Sequence, residues 1–117
     1  MYTKSIGALG EAIALAYLKQ NGFKIVETNY RCKIGEIDII ATKNDRYHFI
    51  EVKHRTNDKF GLGRVAVNYP KQQKIHKSAQ LYMIKKKLYG KIHMSFDVIE
   101  IMGHAPNHTL EHLVACF

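Results

Sequence analysis

Apolar and polar positions along the chain change period several times, and each change marks an element. Ser5 to Gln20 is rich in Ala and Leu and breaks off at Asn21-Gly22, so it is predicted as a first helix with Ser5 or Thr3 as its cap. It is apolar almost all round, which predicts deep burial. A looser alternation from Phe23 to Asn29 predicts a strand, ending at Asn29-Tyr30-Arg31. Glu36 to Thr42 predicts a second, with Glu36, Asp38 and Ile40 on one face and Ile37, Ile39 and Ala41 on the other. Lys43-Asn44-Asp45-Arg46 reads as a hairpin turn. In the third strand, Tyr47 to Arg55, Phe49, Glu51, Lys53 and Arg55 share a face opposite His48, Ile50, Val52 and His54. Asn68 and Pro70 mark a second helix that runs to about Leu88. Its Ile75, Ala79, Tyr82 and Met83 turn to the sheet, and Lys71, Lys74, Lys77 and Lys85 lie outside. Ile92 to Met102 and Leu110 to Phe117 complete the strands. A chain of 117 residues holds one hydrophobic core, so a single α/β domain is expected.

Charge narrows the partner class. The 18 Lys and Arg outnumber the 10 Asp and Glu, giving a net charge of +8 and a pI near 9.5, a field that attracts polyanions. Nucleic acid, anionic membrane and acidic proteins all satisfy it. The apolar run from Ile6 to Leu18 is too short for a bilayer core of about 30 Å, and Glu11 interrupts it, so neither a membrane span nor a signal peptide is expected. Cys32 and Cys116 lack zinc-ligand spacing and read as a reduced, cytoplasmic pair. The seven histidines show no helical pairing or Cys partner, and Asp97 reads as a structural acid paired with a basic residue in the sheet.

Five charged residues stand where charge is costly. Glu11 is the lone charge between Ile6 and Leu18 and should meet a lysine, an arginine or a metal ion. Glu36 and Asp38 repel on one strand face unless a cation lies between them, and hard oxygens suit Mg²⁺ or Mn²⁺. A hairpin from Glu36 to Arg55 brings Asp38 near Glu51 and Lys53. A metal held by Asp38, Glu51 and the Val52 carbonyl would activate water for phosphodiester cleavage, with Lys53 orienting that water or stabilising the developing charge. A cross-strand Glu51–Lys53 ion pair accounts for the same residues without catalysis.

This set resembles the PD-(D/E)XK nuclease superfamily: an acid ending one strand, then Glu-x-Lys on the next. Gly7, Gly10-Glu11, Ala14, Tyr17-Leu18, Asn29-Tyr30-Arg31, Gly35-Glu36-Ile37-Asp38, Glu51-Val52-Lys53, Arg55 and Phe96-Asp97-Val98-Ile99 together resemble the YraN-like family of uncharacterised bacterial proteins. The resemblance spans nearly the whole chain. It implies a restriction-endonuclease-like mixed β-sheet flanked by helices, similar to archaeal Holliday-junction resolvases. It also implies a metal site of Glu11, Asp38 and Glu51, with Lys53 as catalytic lysine. Ile37 stands where the superfamily's proline would be.

Lys71, Lys74 and Lys77 begin a basic helix, and Arg31, Arg55 and Arg64 flank the proposed site, so a track for a phosphate backbone is expected. Tyr69 and Phe60 are placed to stack on bases. The leading expectation is a Mg²⁺- or Mn²⁺-dependent endonuclease on DNA, branched DNA included, and a resolvase would act as a homodimer. A non-catalytic nucleic-acid-binding module and a protein-interaction domain with structural charges are the alternatives.

Overall fold

The computed structural model describes residues 2–55 and 67–117, with the side chains of the first helix described from Ala8 onward. Helix α1 (Tyr2–Gln20) leads into strands β1 (Lys24–Arg31), β2 (Glu36–Lys43) and β3 (Arg46–Arg55). Helix α2 (Tyr69–Lys85) then crosses over to β4 (His93–Met102), followed by β5 (Thr109–Leu113). The five strands form one sheet in the order β1-β2-β3-β4-β5, antiparallel except for the parallel β3–β4 pair. This is a mixed α/β architecture, compatible with a restriction-endonuclease-like fold. No helix in the described residues is long and apolar enough to cross a membrane.

Local chemistry ends the helices and turns the strands. Phe23 N–H donates to Leu18 O at 2.9 Å and Gly22 N–H to Lys19 O at 3.3 Å, a Schellman closure with Gly22 at φ +84°. The same closure ends α2 through Leu88 N–H to Met83 O and Lys87 N–H to Ile84 O, with Lys87 at φ +61°. The β2–β3 hairpin turns at Asn44 and Asp45, both at positive φ, as a two-residue turn between twisted strands requires.

Each sheet face carries its own apolar layer. On one, Ala14 and Leu18 of α1 pack with Ile39, Ala41, Ile50, Ile99 and Ile101. On the other, Ile75, Ala79, Tyr82 and Met83 of α2 pack with Ile37, Ile40, Phe49 and Val98. The deep burial expected for α1 is corrected: Gly10, Ala14 and Leu18 are buried at four-residue spacing, whereas Ala12 and Ala16 are exposed and Leu9 is 48% exposed. A helix on one face of a sheet has a single contact stripe, and alanine tolerates water on the remainder.

The alternation expected along β2 also breaks. Ile37 packs on the α2 side, away from Ile39 and Ala41. Pairing of β2 with β3 runs only from Lys43↔Arg46 to Ile39↔Ile50, while pairing with β1 continues to Arg31↔Glu36. Strand β2 therefore parts from β3 at Asp38. Strand β1 continues through Asn29, which takes φ +52°, to Arg31 rather than ending before it. Strand β5 stops at Leu113, short of the expected Phe117.

Candidate active site

The parting of β2 from β3 creates the site. Beyond Ile50 the next ladder donor on β3 facing β2 has no strand partner, and the Asp38 carboxylate accepts the Val52 N–H at 2.8 Å instead. A side chain thus substitutes for the missing ladder acceptor, which satisfies a backbone donor and fixes Asp38 beside β3. Glu51, on the α2 side of β3 and 5% exposed, shares a hydrogen bond with Asp38. Burial, and after it the Glu51 charge, pushes the Asp38 carboxyl up to about 7, against the Val52 N–H, which favours its ionised form. Two carboxyls in contact therefore share less than two negative charges near neutral pH.

Two lysines answer them. Lys53 Nζ lies 3.4 Å from Glu51 Oε2, and Lys71 Nζ, from the first turn of α2, contacts the same oxygen more closely. Asn68 sets that turn: its side-chain oxygen caps the helix by accepting the Lys71 N–H at 3.0 Å, with Pro70 behind it. The lysines shift in opposite directions. Burial lowers the Lys53 pKa, and the Lys71 charge adds to that effect, with only partial compensation from Glu51. Burial acts the same way on Lys71, but its closer hydrogen bond and charge contact with Glu51 prevail and raise it. Lys71 is the main counter-ion, and Lys53 is the lysine whose proton is held less tightly.

Asp38, Glu51, Val52 and Lys53 are thus brought together as expected, and Lys71, expected on the outer helix face, instead turns inward and joins them. It sits at the third helical position, where the chain still faces the sheet edge. Glu36 is excluded: it is exposed and paired with Arg31 at 3.1 Å. Glu11 was expected to meet a cation, but it accepts a hydrogen bond from the Asn29 side-chain amide at 2.9 Å. Being only half-buried, it remains partly hydrated and a neutral donor suffices. Among the described residues Glu11 is not gathered with Asp38 and Glu51 into a compact three-ligand group. Glu100 is a carboxylate that periodicity missed. It pairs in register with Lys53, is 7% exposed, and leaves one buried oxygen without a hydrogen-bond partner. Its position in an apolar strand, like that of Glu51, was the available signal.

Of the proposed nucleic-acid contacts, Lys74 and Lys77 are exposed on α2, Arg31 is exposed at the end of β1, and Arg55 is half-buried at the end of β3. Tyr69 is 69% exposed beside the α2 cap. Arg64 and Phe60 lie outside the described residues.

The histidines were read as lacking metal spacing, yet the sheet gathers two of them. Asp97 Oδ2 accepts from His48 Nδ1 and His112 Nε2, each at 2.7 Å, and Oδ1 accepts from Ser95 Oγ and the Ala115 N–H. Burial alone would raise the Asp97 pKa, but these donors, His112 first, hold it well below the ordinary carboxylate range. The basic partner expected for Asp97 is therefore a pair of imidazoles. Their separation of 64 residues hid the contact from any local spacing rule.

Comparison with known proteins adds family information. The model of the uncharacterised protein family UPF0102 matches residues 10–101. A relative from Clostridium kluyveri is 50% identical over 106 residues, covering 91% of this chain and 86% of its own. Relatives from Clostridium botulinum strain 657 and Clostridium tetani are likewise 50% identical, over 104 and 101 residues, covering 89% and 86% of this chain and 85% and 82% of theirs. All three carry the family designation as their name.

Proposed function

The chain belongs to the uncharacterised protein family UPF0102, and from that premise we propose that it is a cytoplasmic, divalent-metal-dependent nuclease of the PD-(D/E)XK type, hydrolysing phosphodiester bonds in DNA, branched DNA included. One observation carries this: half-buried Asp38 and buried Glu51 meet where β2 leaves β3, with Lys53 and Lys71 against Glu51. A protein that only binds nucleic acid gains nothing from carboxylates there, since they repel phosphate.

The donors fit a hard divalent cation. Asp38 and Glu51 offer carboxylate oxygens and Val52 a backbone carbonyl beside them, and burial with the Glu51 charge makes ionised Asp38 costly, a cost that a bound cation would offset. Mg²⁺ or Mn²⁺ held there would supply Lewis-acid chemistry, acidifying water and polarising phosphoryl oxygen.

The protein's own groups do the remaining work. The Val52 N–H holds Asp38 in place and favours its ionised form, the form needed to hold a cation. Lys53, whose ammonium is weakened by burial, donates to the attacking water or to the charge developing on phosphate. Lys71 neutralises Glu51 in the resting site and has the reach to turn to an incoming phosphate. Lys74, Lys77 and Arg31 line the approach, and a second copy of the chain would serve the second strand of a four-way junction.

The test is cleavage of duplex, single-stranded, flapped and four-way DNA in Mg²⁺, Mn²⁺ or EDTA. Metal-dependent nicking that falls at least ~100-fold in Lys53→Ala is expected, the scale of losing one transition-state donor. Binding without cleavage in either metal would contradict the proposal and favour a non-catalytic module.

A further inference from the structure

Outside the carboxylate–lysine site, the densest group of ligand-bearing side chains is His48, Asp97 and His112, contributed by β3, β4 and the end of β5. Their ligand atoms all lie within 4.8 Å of one another, and the three side chains are between 0% and 7% exposed. We propose that these three residues form a second metal site, for a borderline divalent ion of the zinc class, distinct in place and ligand chemistry from the Asp38–Glu51 centre.

The ligand chemistry separates the two sites. Two imidazole nitrogens and one carboxylate oxygen suit zinc, whereas the all-oxygen set at Asp38 suits magnesium or manganese. Three protein ligands with one position left for water or a bound group is the pattern of an open zinc site. Donor spacing is near what such an ion needs. Both nitrogens now stand 2.7 Å from Asp97 Oδ2. Tetrahedral zinc bonds of about 2.0–2.1 Å would set ligand atoms about 3.3 Å apart. Widening each nitrogen–oxygen gap by about 0.6 Å, with all three ligand atoms already within 4.8 Å of one another, would make room for the ion.

Support behind the ligands is already built. Ser95 Oγ at 2.6 Å and the Ala115 N–H at 3.0 Å hold the other Asp97 oxygen, leaving Oδ2 to face the rings. Tyr17 Oη lies 3.0 Å from His112 Nδ1 and can accept a hydrogen bond from Nδ1–H once Nε2 binds a metal. His48 also lines a depression of about 370 Å³ with Phe23, Lys43, Asn44 and Arg46, which brings solvent to one of the three ligand residues. Without an ion, the fully buried Asp97 carboxylate is met by two rings, a hydroxyl and a backbone N–H. A divalent ion would give it the formal counter-charge those groups lack unless a ring is protonated.

The experiment is titration of the metal-free protein with Zn²⁺, followed by calorimetry and by ¹⁵N NMR of the histidine rings, with Co²⁺ absorption as a coordination probe. One equivalent should bind with large shifts at His48 Nδ1 and His112 Nε2, and Co²⁺ should give visible bands of low coordination number. His112→Gln should weaken Zn²⁺ binding about 100-fold or more, a ligand costing at least as much as a supporting contact. Asp38→Asn should leave this binding unchanged. Rings of His48 and His112 that stay unperturbed at saturating Zn²⁺ would overturn the proposal, as would Zn²⁺ affinity lost in Asp38→Asn. Because the ring signals are read in the unaltered chain, a variant that fails to fold leaves the test intact.

Discussion

At the scale of single residues, Asp38 has the most testable property. Its carboxyl sits near 7 in the folded protein against an ordinary value of 3.8, so the folded state holds a proton that the unfolded chain releases earlier. The sign follows from linkage: the associated stability is fully present below about pH 4 and is lost as pH rises through about 7. Replacing the acid by its neutral isostere removes that loss and keeps an oxygen for the Val52 N–H. Metal-free Asp38→Asn should therefore melt higher than the parent at pH 8, by roughly 4 °C for each 1 kcal/mol recovered, with a clearly smaller gain at pH 5. Thermal melts at the two pH values check this. Divalent metal should oppose the effect, its affinity rising with pH as Asp38 ionises.

At the scale of elements, two contacts place the site. Gly10 lets α1 approach β3, since a Cβ there would meet His54 Cβ at 2.8 Å. Gly10→Ala should thus destabilise by about 1–3 kcal/mol in denaturant unfolding, even though alanine favours a helix interior by about 1 kcal/mol. Asn68 caps α2 in the turn that carries Lys71, so Asn68→Ala should cost about 1 kcal/mol. That substitution should also relax the Lys71–Glu51 contact, visible as a chemical-shift change at the Lys71 ammonium.

The elements themselves were legible in the sequence because period and stop signals are local. The two helices, five strands and the Asn44-Asp45 turn all fall within a few residues of expectation. The pairing of Glu51 with Lys53 followed from the two-residue period of β3. Three things were not local. Ile37 changes face because β2 leaves its neighbour, a property of the sheet rather than of the strand. Lys71 turns inward because the α2 cap is docked at the sheet edge. His48 meets His112 only after α2 and two further strands have been laid down.

On the scale of the whole molecule, a net charge of +8 and the exposed Lys74 and Lys77 would place the proposed affinity for DNA under salt control. Replacing both lysines by alanine should weaken binding similarly on all sequences and reduce the slope of log K against log salt by about 2, checked by fluorescence anisotropy across salt concentrations. The rate of the chemical step on fully bound DNA should hardly change, since these side chains stand outside the carboxylate–lysine group. The sharpest test of that group is the single-turnover cleavage rate of saturated four-way and duplex DNA in Mn²⁺, compared between the parent chain and Asp38→Ala. A metal-dependent rate that falls at least ~100-fold in the variant, with DNA affinity retained, is the predicted result. An unchanged rate in Asp38→Ala, or cleavage that persists in EDTA, would contradict it.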